Sequence, residues 1–228
     1  GSIDFAGSTV TITESDGIDI APSEATGALS LSATGAITQT GAIDADSTSS
    51  FTAGGNVITL TQAANDFTGA VSLSNTGTNL VQVTDANAID LGTVTAGGAL
   101  TVTSSGTITD SGNLTVVGLA TLVSGGNAIT LGDGTIADFG SIDFAGSTVT
   151  ITEGSSMAIA ASEATGALSL IANGAITQTG VIDSISTSSF SAGGNVITLG
   201  LANDFAGAVS LSNTGTNLVQ VTDANAID

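Results

Sequence analysis

The sequence predicts an all-β protein built as a parallel β-helix, a β-solenoid with about 20–24 residues per rung. Three observations carry this expectation. Short runs alternate apolar and polar residues, glycine marks the turns between them, and the chain repeats itself.

The alternating runs include Ala28-Leu-Ser-Leu, Val57-Ile-Thr-Leu, Ala70-Val-Ser-Leu, Ala99-Leu-Thr-Val and Ala128-Ile-Thr-Leu. Their period of two is that of a half-buried strand. Turns are marked by Gly54-Gly55, Gly97-Gly98, Gly125-Gly126 and Gly193-Gly194, and by Thr34-Gly35, Thr76-Gly77 and Ser105-Gly106. Glycine enters positive-φ corners without the penalty of a Cβ. Strands of about five to six residues are usual, and two or three of them with their turns make one rung. Inward Val, Ile, Leu and Ala then stack on their counterparts one rung away, while Ser and Thr face water. The scarcity of long helix formers argues against helices. A string of β-sandwiches needs about 100 residues per domain and a large aromatic core, yet aromatics are 3% of this chain.

The run Gly1 to Glu14 returns unchanged as Gly140 to Glu153, and the match continues to the last residue, where Asp228 answers Asp90. About 74 of the first 90 residues are identical in the second copy, more than a shared fold alone produces. The offset is 139 as far as Leu60 and Leu199 and 138 afterwards, because one residue near Gln62 has no counterpart. The organisation expected is one continuous solenoid, with residues 1–139 as a first long unit of about six rungs and 140–228 as an incomplete second copy. The second copy stops mid-unit, so the array is expected to continue past this stretch. At about 4.8 Å per rung, about ten rungs make a segment roughly 50 Å long.

Composition excludes whole classes of function. The chain has no Lys, Arg, His, Cys, Trp or Tyr, and its 20 acidic residues give a formal net charge of −20. Nucleic-acid backbones and anionic lipid surfaces are bound through Lys and Arg, so neither is expected as a partner. With hydrophobic residues at 41% and a mean hydropathy of +0.47, the charge does not signal disorder. Without Cys or Lys there is neither a disulfide nor a Lys–Asn cross-link. No apolar run is long enough to span a bilayer as a helix.

Catalysis is left with carboxylates and hydroxyls. The candidate glycosidase pairs are Asp44 with Asp46 and Asp16 with Asp19. In the second copy Asp46 becomes Ile185, Asp16 becomes Ser155 and Asp19 becomes Ala158. Sugar subsites also use aromatic platforms, and Trp and Tyr are absent. We therefore expect no enzyme and no cofactor. Calcium, which takes several oxygen ligands, is the one metal with candidate residues: Asp85, Asn87 and Asp90, recurring as Asp223, Asn225 and Asp228, with Asp133, Asp138 and Asp143 as a looser cluster. The competing reading is that these Asp and Asn side chains cap turns. Thr-x-Thr runs at Thr9, Thr11 and Thr13, Thr93 and Thr95, Thr101 and Thr103, and Thr107 and Thr109 raise ice binding as a further alternative. That function needs the pattern at one place in successive rungs. The seven Phe residues (Phe5, Phe51, Phe67, Phe139, Phe144, Phe190, Phe205) are expected to fill the core, and the shaft to change shape between Phe139 and Phe144.

Two runs resemble a known family. They are Ala64-Asn-Asp-Phe-Thr-Gly-Ala-Val-Ser-Leu-Ser-Asn, repeated at Ala202 to Asn213, and Ala88-Ile-Asp-Leu-Gly-Thr-Val-Thr-Ala-Gly-Gly-Ala-Leu-Thr-Val-Thr. Both are similar to the repeat regions of filamentous-haemagglutinin-like and autotransporter-like giant exoproteins of Gram-negative bacteria. The resemblance covers almost the whole chain and is one of style more than of a diagnostic motif. It implies a right-handed parallel β-helix, passage across the outer membrane, and a role in surface attachment, aggregation or matrix. Neither the family's secretion domain nor an adhesive tip is represented here. The partners expected are the chain itself, end to end or within a longer chain, and the surface of a host or neighbouring cell. A self-assembling extracellular filament is the alternative, and it needs no receptor.

Overall fold

A single strand with one apolar side cannot bury that side alone. Stacking copies of it in parallel register buries it and also pairs the backbone, which is how this chain folds. The computed structural model describes residues 1–227. Among them there are 29 strands and no helix, and neighbouring strands run parallel. They wind into a β-solenoid of about 11 turns. Paired residues are 19 apart at Val10–Leu29, 23 apart at Ile58–Val81 and 16 apart at Ala137–Glu153, so the rungs average close to the expected length.

Each turn has three faces. What we call the threonine face begins with Ser2–Ile3, Ile18–Ile20, Ile37–Gln39, Ile58–Leu60, Val81–Asp85 and Leu100–Ser104. The acidic face begins with Ala6–Gly7, Ser23–Ala25, Ile43–Ala45 and Asp66–Phe67, and the second copy rebuilds it from Ser162–Ala164, Ile182–Ser184 and the end of Ile197–Phe205. The hydroxyl face begins with Val10–Glu14, Leu29–Ala33, Ser49–Thr52 and Val71–Asn75, and returns as Val149–Glu153, Leu168–Ala172, Ser188–Ser191 and Val209–Ser212. Where the copies meet, Ala137–Gly146 pairs backwards with Leu114–Val123 and forwards with Met157–Ile159 and Ser162–Ala164. This ten-residue strand runs through a corner and carries both Phe139 and Phe144 into the core.

Inward residues stack on like residues. Ile18, Ile37, Ile58, Val81 and Leu100 form one file, and Ile12, Leu31, Phe51 and Leu73 another. Full burial of such a side chain is worth about 1.5–3 kcal/mol, and here it is repeated at every rung. Six of the seven Phe are buried, while Phe5 in the first rung is half-buried. Phe51 meets Phe67 edge-on at 6.0 Å, and their counterparts Phe190 and Phe205 do the same at 5.8 Å. An outward-to-charged change would cost little, whereas Ile58→Asp would strand a charge between apolar rungs.

The Gly-Gly-Asn corners show how a turn is tied to its neighbour. Gly54 (φ 54°), Gly125 (φ 58°) and Gly193 (φ 56°) take the left-handed conformation. The amides of Asn56, Asn127 and Asn195 close the turn on the residue three back. Their side chains then donate one rung back, to the carbonyls of Thr34 (2.7 Å), Ser105 (2.9 Å) and Asn173 (3.0 Å). Gly97-Gly98 is different: its backbone keeps negative φ, and a Cβ on Gly98 would lie 2.4 Å from the Thr78 carbonyl oxygen. That pair serves close approach of rungs instead of a left-handed corner.

Candidate functional site

Alternation along the strands of the acidic face points Glu24, Asp44 and Asp66 outward on successive rungs. In the second copy Glu163, Asp183 and Asp204 occupy the same register. A shallow groove beside this file is lined by Asp4, Phe5, Ala6, Pro22, Ser23, Glu24, Ala42 and Asp44. A second is lined by Asp143, Phe144, Ala145, Ala161, Ser162, Glu163, Val181 and Asp183. Residue by residue these are the same eight positions, 139 apart. Like charges directly opposite on neighbouring strands repel, and the chain holds no Lys or Arg to offset them, so this face draws loose counter-ions from solution. Burial pushes the Asp143 carboxyl above the usual carboxylate range. Among the described residues no three carboxylates converge to hold a metal ion.

The calcium candidates are not brought together. Asp85 turns inward and is buried, whereas Asp90 faces out, half-buried, and accepts from the Ser111 hydroxyl at 2.7 Å. Asp85 Oδ1 accepts from the Asn87 amide at 3.0 Å, which is a turn cap. The Asn87 carbonyl already accepts from the Ser104 hydroxyl and the Gly106 amide. In the second copy Asp223 Oδ1 accepts from the Phe205 amide at 3.2 Å, and Asn225 donates to Asp204 at 2.6 Å; Asp228 lies outside the described residues. Of the looser cluster, Asp133 is exposed in a turn, while Asp138 and Asp143 face out from one strand five residues apart. Asp44 and Asp46 both face out on either side of buried Ala45, whereas Asp16 sits in a turn and Asp19 on a strand.

Sequence reasoning missed the polar groups inside the coil. Asn65 is wholly buried. Its Oδ1 accepts from Gln39 Nε2 (2.8 Å) and the Ile43 amide (2.9 Å). Its Nδ2 donates to Gln39 Oε1 (2.9 Å) and to the carbonyls of Leu60 (3.2 Å) and Thr84 (3.1 Å). Asn203 makes the same five bonds with Gln178, Ile182, Leu199 and Thr222. The network survives the one-residue difference in the adjoining loop, where Gln39 accepts from the Gln62 amide and Gln178 from the Leu201 amide. The signal was the retention of Gln39 as Gln178 and of Asn65-Asp66-Phe67 as Asn203-Asp204-Phe205.

Four carboxyls have a buried oxygen without a hydrogen-bond partner, Asp85 Oδ2, Asp90 Oδ1, Glu153 Oε2 and Asp223 Oδ2. Burial pushes Asp85 up to about 6, against the pull of bonds from the Asn87 and Phe67 amides. It pushes Glu153 up to about 7, although Oε1 accepts from the Phe139 amide at 3.1 Å.

No curated protein and no solved structure matches the chain. One family does match, in three consecutive stretches, residues 7–74, 77–142 and 146–212. Each stretch is about half of the 139-residue offset, so the long unit is itself a pair of related repeats. These matches span most of the chain, which belongs to the family described as repeats of unknown function (DUF5649).

Proposed function

We propose that this chain is a shaft segment of an extracellular or cell-surface fibre, a stiff rod used in attachment, aggregation or matrix. The observation that carries this reading is the unbroken ladder through the junction of the two copies, where Ala137–Gly146 pairs with rungs on both sides. Stacked rungs with a continuous core resist bending and need no ligand. The resemblance of the runs from Ala64 to Asn75 and from Ala88 to Thr103 to filamentous-haemagglutinin-like and autotransporter-like exoproteins supports the surface location.

The second reading is a filament of copies stacked end to end. Ile3, Phe5, Val10 and Ile12 at one end and Val209, Leu211 and Val221 at the other are only partly buried against the core. A second copy stacked on either end would complete their burial. Electron cryo-microscopy of native surface material tests both. A rod with an axial spacing of about 4.8 Å is expected. Separate beads without that spacing would overturn the shaft reading, and a rod whose density breaks between chain copies would favour the filament.

A further inference from the structure

We propose that the acidic face docks a basic polypeptide segment of a partner protein, one at the groove of each copy. The two grooves are homologous, and six of their eight lining residues are unchanged across 139 positions. The two that differ, Pro22 to Ala161 and Ala42 to Val181, stay apolar. Glu24 and Asp44 return as Glu163 and Asp183, and each file continues one rung on, to Asp66 and Asp204. Acidity alone would draw only loose counter-ions. What sets this face apart is exposed apolar surface beside the acids. Val181, Ile185 and Leu201 are 44%, 60% and 40% exposed. Val181, Asp183 and Ile185 all face out, with Ile182 and Ser184 buried between them, so Asp183 has an apolar neighbour on either side. Leu201 precedes Asp204 by three residues on the strand Ile197–Phe205. In the first copy Val181 and Ile185 are Ala42 and Asp46. The acids were kept while their flanks became larger and more apolar.

A carboxylate file beside apolar strips suits lysine and arginine. Each lays its alkyl stem on apolar surface and carries its charge at the tip. The chain has no Lys or Arg of its own to take that place. Successive acids lie one rung, about 4.8 Å, apart. A basic segment running along the axis therefore meets a carboxylate at every rung and relieves the repulsion between them. The second groove is shallow, about 370 Å³, which fits the side chains of a segment better than an enclosed small molecule. A divalent cation is less suited, because its ligands must converge. Among the described residues no three carboxylates do, and a metal ion gains nothing from Val181 or Ile185. With its larger apolar flanks the second groove is the tighter of the two. This inference rests on the fold and not on the surface location proposed above, so either can fail alone.

Isothermal titration calorimetry of the 228-residue chain with a 12-residue peptide of alternating lysine and serine tests it. Two peptides per chain are expected in 20 mM NaCl, bound about ten-fold more weakly in 200 mM. Glu163→Gln with Asp183→Asn should leave one. Asp19→Asn with Asp133→Asn, the same loss of charge away from the grooves, should leave two. Val181→Ser with Ile185→Ser should keep two and weaken the tighter one several-fold. Circular dichroism confirms the fold of each variant. If the first pair fails to fold, Glu24→Gln with Asp44→Asn, the same change in the first groove, replaces it. Absence of binding overturns the proposal. So does peptide uptake that both charge-removing pairs weaken alike, as a diffuse counter-ion cloud requires, and so does an affinity unchanged by the two serine substitutions.

Discussion

The two copies contain a natural experiment on one buried hydroxyl. Ser49 is 2% exposed and its Oγ has no hydrogen-bond partner. Its counterpart Ser188 is equally buried, but its Oγ donates to Ser184 Oγ at 2.9 Å. The difference is one residue: position 184 is Ser where the first copy has Ala45. A buried hydroxyl left unpaired costs about 1–3 kcal/mol, and the bond that would satisfy it is worth about 1 kcal/mol. Ala45→Ser should therefore stabilise the chain by about 1 kcal/mol. It adds one oxygen where the second copy already accommodates one. Ser49→Ala should be neutral or stabilising, because it removes the orphan, whereas Ser184→Ala should destabilise by about 1–3 kcal/mol by creating a second. In a chain of this size 1 kcal/mol moves the melting temperature by about 2–4 °C, and the urea midpoint should move in the same sense at constant slope. If Ala45→Ser lowers stability while Ser184→Ala leaves it unchanged, the unpaired hydroxyl is not a cost and the reasoning fails.

Three other outcomes follow from named groups. Glu153 and Asp85 have folded-state values near 7 and 6, above their ordinary values of 4.5 and 3.8. Folding therefore takes up protons, so stability is greatest below about pH 4 and falls as pH rises towards 7, by about 3 kcal/mol for each group. Urea unfolding at pH 4.5 and pH 8 checks the sign, and Glu153→Gln should flatten the profile. Asn65→Ala should destabilise by about 3–5 kcal/mol, because it takes the acceptor from the Ile43 amide and one partner each from the Leu60 and Thr84 carbonyls and both ends of the Gln39 amide inside the coil; hydrogen exchange at the Ile43 amide should rise with it. Raising NaCl from 10 mM to 500 mM should raise the melting temperature, since screening relieves repulsion among Glu24, Asp44 and Asp66 and their counterparts; a fall would mean that the acidic file is not under strain.

The coil was legible in the sequence because its evidence is local. Alternation in Ala28-Leu-Ser-Leu and Ala70-Val-Ser-Leu, turns at Gly54-Gly55, and a period near 20 residues each constrain backbone and facing directly. The inward files and the buried Phe residues follow from those. What was not legible is what depends on which rung lies above which. Gln39, Asn65 and Thr84 are far apart in sequence and meet only once the rungs are stacked, so the buried amide network had no local signature. The opposite facing of Asp85 and Asp90 was hidden for a related reason. Five residues apart, they look like neighbours, but a strand begins between them at Ile89 and leaves one facing in and the other out. Gly97-Gly98 reads as a turn like Gly54-Gly55, yet it answers a steric demand set by Thr78 on the previous rung.

The differences between the copies bear on where function resides. Asp16, Asp19 and Asp46, members of the two carboxylate pairs that the sequence offers for glycoside hydrolysis, are gone from the second copy. The core files, the Gln39 and Asn65 network, the three groove carboxylates Asp4, Glu24 and Asp44, and seven of the eight hydroxyls on the first four rungs of the hydroxyl face are all present in both. A catalytic or receptor site needs one good instance, and further copies of its rod need not carry it. A shaft, a lateral contact or a diffuse acidic coat needs every rung to carry the same surface. The duplication keeps what a distributed function uses and lets go of what a localised one would use, even where the chain lost a residue beside the Asn203 network and closed the loop around it.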